Sequence, residues 1–480
     1  MKRGKRLLLL LSALAVIVAV YFAVSHFAPG NKSKAEDNAS LTVASISKDS
    51  VAGLSWTYGA KTLSLKNTNA KWSYTGDSAF PLDQIKVLSM LGAVSNLKAT
   101  RTIQNVSDLS EYGLSKPACV ITVISSDGKE TKFSIGDLND VSKEYYLKLD
   151  GKSNVYTVDD SLIKAFPQNI YDMIKMEVIP YISNIKTMQV EKSLSPLNLI
   201  YMDKGGEYSY TDSYHWYYQN GSTLSPLSEK KMSELSSTVT GLSWKGCVSY
   251  KATDADLALY GLKNSQAKVM INYTEKQQAN TGKTDKDGNP VVEEKDIGHT
   301  FGLLIGNPVG DYYYAKLAGS DMVYEIDASA ANAILSANYT ALLPDDVCLM
   351  DWNTVDSLEV TADGKKAEIS FLRKGDGKSG NKTTSYKVNG ADADSKAVEA
   401  FLKSITDLEK VDETNDKSGA KTPEVSVTFH RNTEYFKTMT LTLSPLGDYY
   451  LVTFNGESRL LTGKDGVSSL KDALSAILKK

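Results

Sequence analysis

The sequence predicts an α+β protein: an N-terminal transmembrane helix followed by three tandem repeats of mostly antiparallel sheet with helices packed on one face. Three observations predict it. An uncharged apolar run, Leu7 to Val24, follows the cationic start MKRGKR. A tyrosine-rich strand recurs three times, as EYYLKLDG at 144–151, DYYYAKLAG at 311–319 and DYYLVTFNG at 448–456. Short strand-patterned stretches outnumber helical ones and are joined by turn residues, which favours hairpins with helices packed to one side.

The apolar run has the length of an anchor. About 20 residues at 1.5 Å each cross a bilayer core of about 30 Å. The four cations ahead of it keep the N-terminus cytoplasmic and place the bulk of the chain outside, a single-pass protein of the cell membrane. The competing reading is a cleaved signal peptide, whose apolar core is ~7–15 residues long and ends in small residues. Here the run is longer and ends in His26-Phe27-Ala28-Pro29. No cysteine follows it, so a lipoprotein is excluded. Residues 31–40, after Pro29-Gly30, are polar and read as a tether.

Composition supports folded domains beyond the tether. The chain has 480 residues, 42% hydrophobic and 23% charged. At ~150 residues per domain that is about three domains with cores of their own. Collagen-like, wholly disordered and polytopic membrane classes are excluded. With 54 Lys and Arg against 57 Asp and Glu there is no cationic surplus to displace counterions, so nucleic acid is not an expected partner. Cys119, Cys247 and Cys348 are odd in number and far apart, which predicts small core residues and no disulfide framework.

The repeats carry further matching markers in one order. Trp72-Ser-Tyr-Thr-Gly matches Trp216-Tyr-Tyr-Gln-Asn-Gly and, loosely, Tyr386-Lys-Val-Asn-Gly. Pro81-Leu82 and Pro226-Leu227 open helices. The third equivalent, Ser395 to Leu408, puts Val398, Phe401, Leu402, Ile405 and Leu408 on one helical face. Tyr112-Gly113-Leu114 matches Tyr260-Gly261-Leu262, and Phe133-Ser-Ile-Gly136 matches Leu303-Leu-Ile-Gly306. The third repeat has no Tyr-Gly-Leu. The unit reads β-β-(β)-α-β-β-β-β-α, with boundaries near Ile179-Pro180 and Cys348–Asp351. The predicted layout is 1–28 for the cytoplasmic segment and anchor, 29–40 for a linker, and 41–179, 180–350 and 351–480 for three repeat domains, the last divergent. The polar stretches 275–298, 375–384 and 412–421 read as solvated or mobile loops, the first a mobile insertion in the second repeat.

Here the residues carry a resemblance. The order Trp-x-Tyr (Trp72 to Tyr74), Pro-Leu-Asp (Pro81 to Asp83), Tyr-Gly-Leu-x-x-Pro (Tyr112 to Pro117), Ile135-Gly136, Tyr-Tyr-Leu-Lys-Leu (Tyr145 to Leu149) and Val-Tyr-x-Val (Val155 to Val158) resembles the bacterial family of domain of unknown function 4340. The resemblance is good over Trp72 to Asp159, fair over Trp216 to Asp327 and weak after Asp351. It implies one N-terminal membrane helix, tandem copies outside the membrane, and association with ABC-type transport systems of the gliding-motility kind. It carries over no activity and no catalytic residue.

A search of the residues for chemistry returns little. The four histidines, His26, His215, His299 and His430, share no metal-ligand spacing, so no metal or cofactor is expected. Gly377-Lys378-Ser379 lacks the upstream glycine of a phosphate loop. Asp285-Lys-Asp287-Gly288-Asn289 has Pro290 where a calcium loop needs glycine. Gly241-Leu-Ser243-Trp-Lys-Gly246 has one residue too many for a nucleophile elbow. Asp159-Asp160 and Asp345-Asp346 are adjacent in sequence and so face apart, and Asp159-Asp160 reads as a helix N-cap.

The candidate contact surface is the set of repeated tyrosines Tyr145, Tyr146, Tyr312, Tyr313, Tyr314, Tyr449 and Tyr450. They suit an aromatic platform for glycan or protein. They equally suit half-buried strands, and recurrence in every copy favours that role. The leading expectation is a membrane-anchored extracytoplasmic scaffold or accessory protein, not an enzyme, beside ABC-type transporter subunits. The alternatives are an envelope glycan- or ligand-binding module and, behind it, an envelope hydrolase.

Overall fold

In the computed structural model the described residues are 41–192, 196–284, 286, 288, 290–375 and 382–479. They fall in two compact units, Met1–Lys175 and Met176–Lys480. Alternating burial builds the sheet of the first unit. In Cys119–Ser125 the side chains of Cys119, Ile121 and Val123 point inward. Because side chains alternate with period 2, antiparallel register lines such residues up in rows across neighbouring strands. One row runs Leu63, Trp56, Ile121, Phe133, Leu149, each directly opposite the next. All five are buried.

The first sheet has eight strands in the order Lys71–Tyr74, Lys61–Thr68, Val51–Tyr58, Cys119–Ser125, Glu130–Leu138, Tyr145–Leu149, Val155–Val158, Arg101–Ile103. Every pairing is antiparallel. Three strands fold back in sequence, the chain crosses through a helix, and four more continue the sheet from the first strand. The short strand after the helix closes the far edge. A separate two-stranded sheet pairs Leu41–Ser45 with Asn96–Ala99.

The second unit holds two nine-stranded sheets of the same order. One runs from Thr223–Pro226 to Gly246–Ser249, the other from Ala391–Asp392 to Lys410–Glu413. Equivalent rows recur: Leu197, Val190, Val269, Leu303, Leu317 in one, and Ala367, Val360, Val427, Leu441, Phe454 in the other. The crossover helices Gln84–Ser95, Glu229–Thr240 and Ser395–Thr406 start at side-chain caps, Asp83, Ser228 and Asp394. The prolines expected to open the first two helices sit before the cap instead. Leu82 and Leu227, just ahead of the cap, are buried, as are Val87 and Met232 four positions into the helix. These are the two positions of a hydrophobic staple.

The expected fold class is corrected. The described chain is dominated by antiparallel sheet, and among the described residues no helix is long and apolar enough to cross a membrane. The longest helix among the described residues, Lys464–Leu478, has 15 residues, short of the about 20 a bilayer needs. It is also one-sided, with Val467, Leu470, Leu474 and Ile477 buried. The run Leu7–Val24, where the sequence predicts the anchor, lies outside the described residues. The repeat is also richer in strand than the sequence pattern suggests. The edge strands Arg101–Ile103, Gly246–Ser249 and Lys410–Glu413 are three or four residues long, too short to show a period.

Within the polar stretch 275–298, residues 275–284 and 290–298 are strand and not loop. They continue the strands Ala267–Thr284 and Pro290–Val309 as a two-stranded ribbon, paired from Thr274↔Gly298 outward to Asn280↔Val292. In the stretch 375–384, Gly375 and residues 382–384 lie in the paired strands Lys365–Gly375 and Lys382–Val388, and 376–381 lie outside the described residues. In the stretch 412–421, Asp412 and Glu413 lie in an edge strand and residues 414–421 carry no helix or strand, as a loop does.

Candidate functional site

The Tyr-Gly-Leu turn is a packing device. Gly113 and Gly261 take left-handed backbone, φ 66° and 69°, and end short helical turns. That conformation favours glycine. The turn then lays the carbonyl of the preceding tyrosine on the glycine of the Ile-Gly strand. A Cβ on Gly136 would stand 2.1 Å from the Tyr112 oxygen, and one on Gly306 would stand 2.2 Å from the Tyr260 oxygen. Two distant motifs are thus one contact, and Leu114 and Leu262 are buried beside it.

Two of the repeated tyrosines, Tyr146 and Tyr314, serve the same contact. Ile135 faces Leu147, Ile305 faces Ala315 and Leu443 faces Val452, which makes Tyr145, Tyr313 and Tyr450 equivalent. Tyr146 and Tyr314 are equivalent to each other and to Leu451. Tyr146 meets Tyr112 edge-on at 4.9 Å, and Tyr314 lies 4.7 Å from Tyr260. The third repeat lacks Tyr-Gly-Leu, and there the partner is Leu451. The Tyr313 hydroxyl donates to Asn332 Oδ1 at 2.8 Å, and the Tyr450 hydroxyl donates to Glu424 Oε2 at 2.6 Å. Tyr145 and Tyr312 are half-buried, and Tyr449 is exposed. The seven candidates therefore lie on three sheets, and four of them are tied inside their own repeat.

The structure gathers charge elsewhere, where the second and third repeats meet within the second unit. Between the strands Leu197–Tyr201 and Trp216–Asn220 runs a connection of residues 202–215, where the first repeat has only Asn69-Ala70. It delivers Tyr210 to the third repeat's core. The Tyr210 ring lies edge-on to Phe454 at 5.3 Å and to Phe436 at 6.0 Å. Its carbonyl accepts from Nη2 of buried Arg431 at 2.6 Å. Burial pushes the Tyr210 hydroxyl up to about 12 and that of Tyr214 higher still.

Beside this plug lies a cleft of ≈ 560 Å³ lined by Asp345, Asp346, Cys348, Thr406, Glu409 and Lys410 among others. A chain of ion pairs runs along it: Lys231 to Asp345 at 2.7 Å, Asp345 to Lys410, Lys410 to Glu413, and Glu413 to Arg459. Arg459 Nη2 also donates to the Pro344 carbonyl at 2.7 Å, and Lys231 Nζ to the Leu343 carbonyl at 2.8 Å. Burial works to raise the Asp345 carboxyl, but Lys231 and Lys410 outweigh it and hold it below the ordinary range. Burial likewise opposes the Glu413 charge, and Arg459 and Lys410 prevail. Burial would lower Lys410, and its bonds to Asp345 and Glu413 raise it instead. Asp345, Lys410 and Glu413 are thus each favoured in the charged form, and the ion pairs clasp the second repeat to the third.

The remaining candidates stay apart. Among the described residues no three His, Cys, Asp or Glu converge on a metal position. His215, His299 and His430 each face a single glutamate, Glu229, Glu275 and Glu359. Asp160 sits at the N-cap of Ser161–Ala165 without a side-chain cap bond, and Asp159 Oδ1, one residue ahead, accepts from Ser161 N at 2.9 Å. Residues 377–379 and Asp285, Asp287 and Asn289 lie outside the described residues. Sequence reasoning singled out Asp345 but missed the plug and the clasp. The available signal was the length mismatch between 202–215 and Asn69-Ala70.

Comparison with known proteins agrees with these motifs. No curated protein matches the chain. The family model described as Domain of unknown function (DUF4340) matches it twice, over residues 72–264 and 216–424. Each match opens on the tryptophan of a repeat's third strand, Trp72 or Trp216, and runs on into the next repeat. Together the matches cover well over half of the sequence and include both Tyr-Gly-Leu turns, and the chain belongs to the DUF4340 family.

Proposed function

We propose that this protein is a membrane-anchored, extracytoplasmic, non-enzymatic accessory or scaffold protein that works beside an ABC-type transport system. One observation carries the non-enzymatic part. In the cleft beside the plug the ionisable side chains Lys231, Asp345, Lys410, Glu413 and Arg459 pair with one another in sequence, and Asp345, Lys410 and Glu413 are held in their charged forms, away from the protonation change that catalysis would use. The polar groups at that place join repeats. The anchoring part rests on the cationic start and the uncharged run Leu7–Val24. The transport association rests on the family resemblance.

The test is to tag the C-terminus, crosslink in living cells, solubilise gently and identify what copurifies. Transporter membrane subunits are the expected result. Wall fragments without transporter subunits would overturn the accessory reading in favour of a glycan-binding module.

A further inference from the structure

The three crossover helices align residue for residue, and the alignment isolates an anomaly. Each has 12 residues and buries the same positions: Val87, Met90 and Val94 in the first, Met232, Leu235 and Val239 in the second, Val398, Phe401 and Ile405 in the third. The opposite face is exposed in all three. In the second it carries Lys230, Ser233 and Ser237, and in the third Lys396, Glu399 and Lys403. In the first the same three positions are Ile85, Leu88 and Gly92. Ile85 is 75% exposed and Leu88 56%. The exposed face of a half-buried helix normally carries polar residues, and here only Ser89, beside it, is polar. The two sister helices show that the fold itself does not call for this.

The surroundings of that face say what covers it. The strand Asn96–Ala99 follows the helix directly and pairs with Leu41–Ser45. Leu41, at the start of that strand, is also exposed, at 48%. Only residues 25–40 separate Leu41 from the end of the uncharged run Leu7–Val24. Fully extended, that connection reaches about 55 Å, so the face cannot lie far from wherever the run is held. Cations border it: Lys48 Nζ stands 3.8 Å from where a Gly92 Cβ would be, and Lys98 is exposed on the adjoining strand. Acids nearby include Asp49 and Asp172, both exposed, the latter accepting from Lys86 of the helix through its carbonyl, and Asp83, whose carboxylate is engaged as the helix cap. Aliphatic side chains with lysines at their margin fit the headgroup region of an anionic bilayer. Three side chains are too few for a free protein partner, which needs about 800 Å² per side. They are enough for a surface already tethered at high effective concentration.

We infer that the Ile85–Leu88–Gly92 face, together with exposed Leu41 on the strand paired to Asn96–Ala99, is a membrane-facing surface that rests in the lipid interface. The inference builds on the anchoring proposed above and adds which side of the first unit meets lipid.

The test uses the full chain, labelled with an environment-sensitive fluorophore through Leu88→Cys and, separately, Ser89→Cys. Ser233→Cys, the position equivalent to Leu88 in the second repeat, is the control. The proteins are reconstituted into vesicles of phosphatidylcholine with one quarter phosphatidylglycerol, with or without a nitroxide-labelled lipid, and floated on a density gradient. The expected result is flotation of all three, with nitroxide lipid reducing fluorescence at least twofold at 88 and 89 and leaving 233 unchanged. Flotation without quenching at 88 and 89 would overturn the inference and leave anchoring intact. Crosslinking of two copies through position 88 would assign the face to a second copy and also overturn it. Failure to float would overturn anchoring and the inference together.

Discussion

Gly136 and Gly306 show how much one missing methyl group decides. Each lets a tyrosine carbonyl approach to a distance no other residue tolerates, and that approach seats the Tyr-Gly-Leu turn. Gly306→Ala is therefore expected to cost about 2 kcal/mol, the scale of a forced shift in a packed interior. Gly298 lies on the same strand with nothing within 4 Å of an added Cβ, and its φ is not left-handed. Gly298→Ala is expected to fall within about 0.5 kcal/mol of the parent. Urea melts of the two variants check the pair, and equal losses would refute the packing account. The tyrosine opposite the turn follows the same logic. Where Tyr112 and Tyr260 exist, Tyr146 and Tyr314 face them, and where the turn is missing Leu451 stands instead. That substitution pattern was visible in the sequence as three tyrosine-rich strands. Which tyrosine matches which was not legible there, because only backbone register sets Tyr145, Tyr313 and Tyr450 at one position and Tyr146, Tyr314 and Leu451 at the next.

At the scale of elements, the connection 202–215 and the ion-pair chain hold the second and third repeats as one unit. Truncating the plug with Tyr210→Ala removes an aromatic anchor and leaves Arg431 with an altered partner. The expected cost is about 3 kcal/mol, read as roughly hundredfold faster hydrogen exchange in Val425–Arg431 and Thr438–Leu446. Unchanged exchange there would mean the contact carries no load.

The ion-pair chain gives a pH dependence of definite sign. Asp345 and Glu413 have folded-state pKa values below their unfolded ones, which are about 3.9 and 4.3. Their contribution is complete above those unfolded values and is lost as pH falls through the folded ones. Lys410 is raised, so its contribution is present at neutral pH and lost only in strong alkali. These side chains are partly exposed, between 19% and 46%, and solvent screening leaves about 1 kcal/mol for the chain as a whole. Lys410→Met is expected to be less stable than the parent by about that amount at pH 7, with the difference shrinking as pH falls below about 4. A difference that does not shrink with acid would assign the loss to packing.

Across the whole molecule, three sheets share one strand order while differing in what is added to each: a two-stranded sheet in the first repeat, a plug and a long ribbon in the second. The cysteines belong to this common scaffold. Cys119 and Cys348 are buried, Cys247 is half-buried and none is bonded to another. Burial pushes the Cys119 and Cys247 thiols up to about 11 and raises that of Cys348 as well. Thiolate is the reactive form, so alkylation at pH 7.5 is expected to be slow at all three in the folded chain and complete at three sites after denaturation. Rapid native labelling, or a dependence of electrophoretic mobility on reductant, would contradict that assignment.

Repetition, period-2 burial and the helix-opening signals were legible in the sequence by itself, because each depends on residues close along the chain. Trp72, Tyr112-Gly113-Leu114 and Ile135-Gly136 were legible as markers of a family for the same reason. What tertiary structure alone decided is which of those markers touch. It joined Tyr-Gly-Leu to Ile-Gly, sent the short edge strands to the far side of each sheet, and extended a polar stretch into a ribbon. It also inserted Tyr210 into a neighbouring core and assembled Lys231, Asp345, Lys410, Glu413 and Arg459 into one chain. Those five residues span more than two hundred positions, and no local pattern encodes a contact between groups that only folding brings within reach of one another's charge.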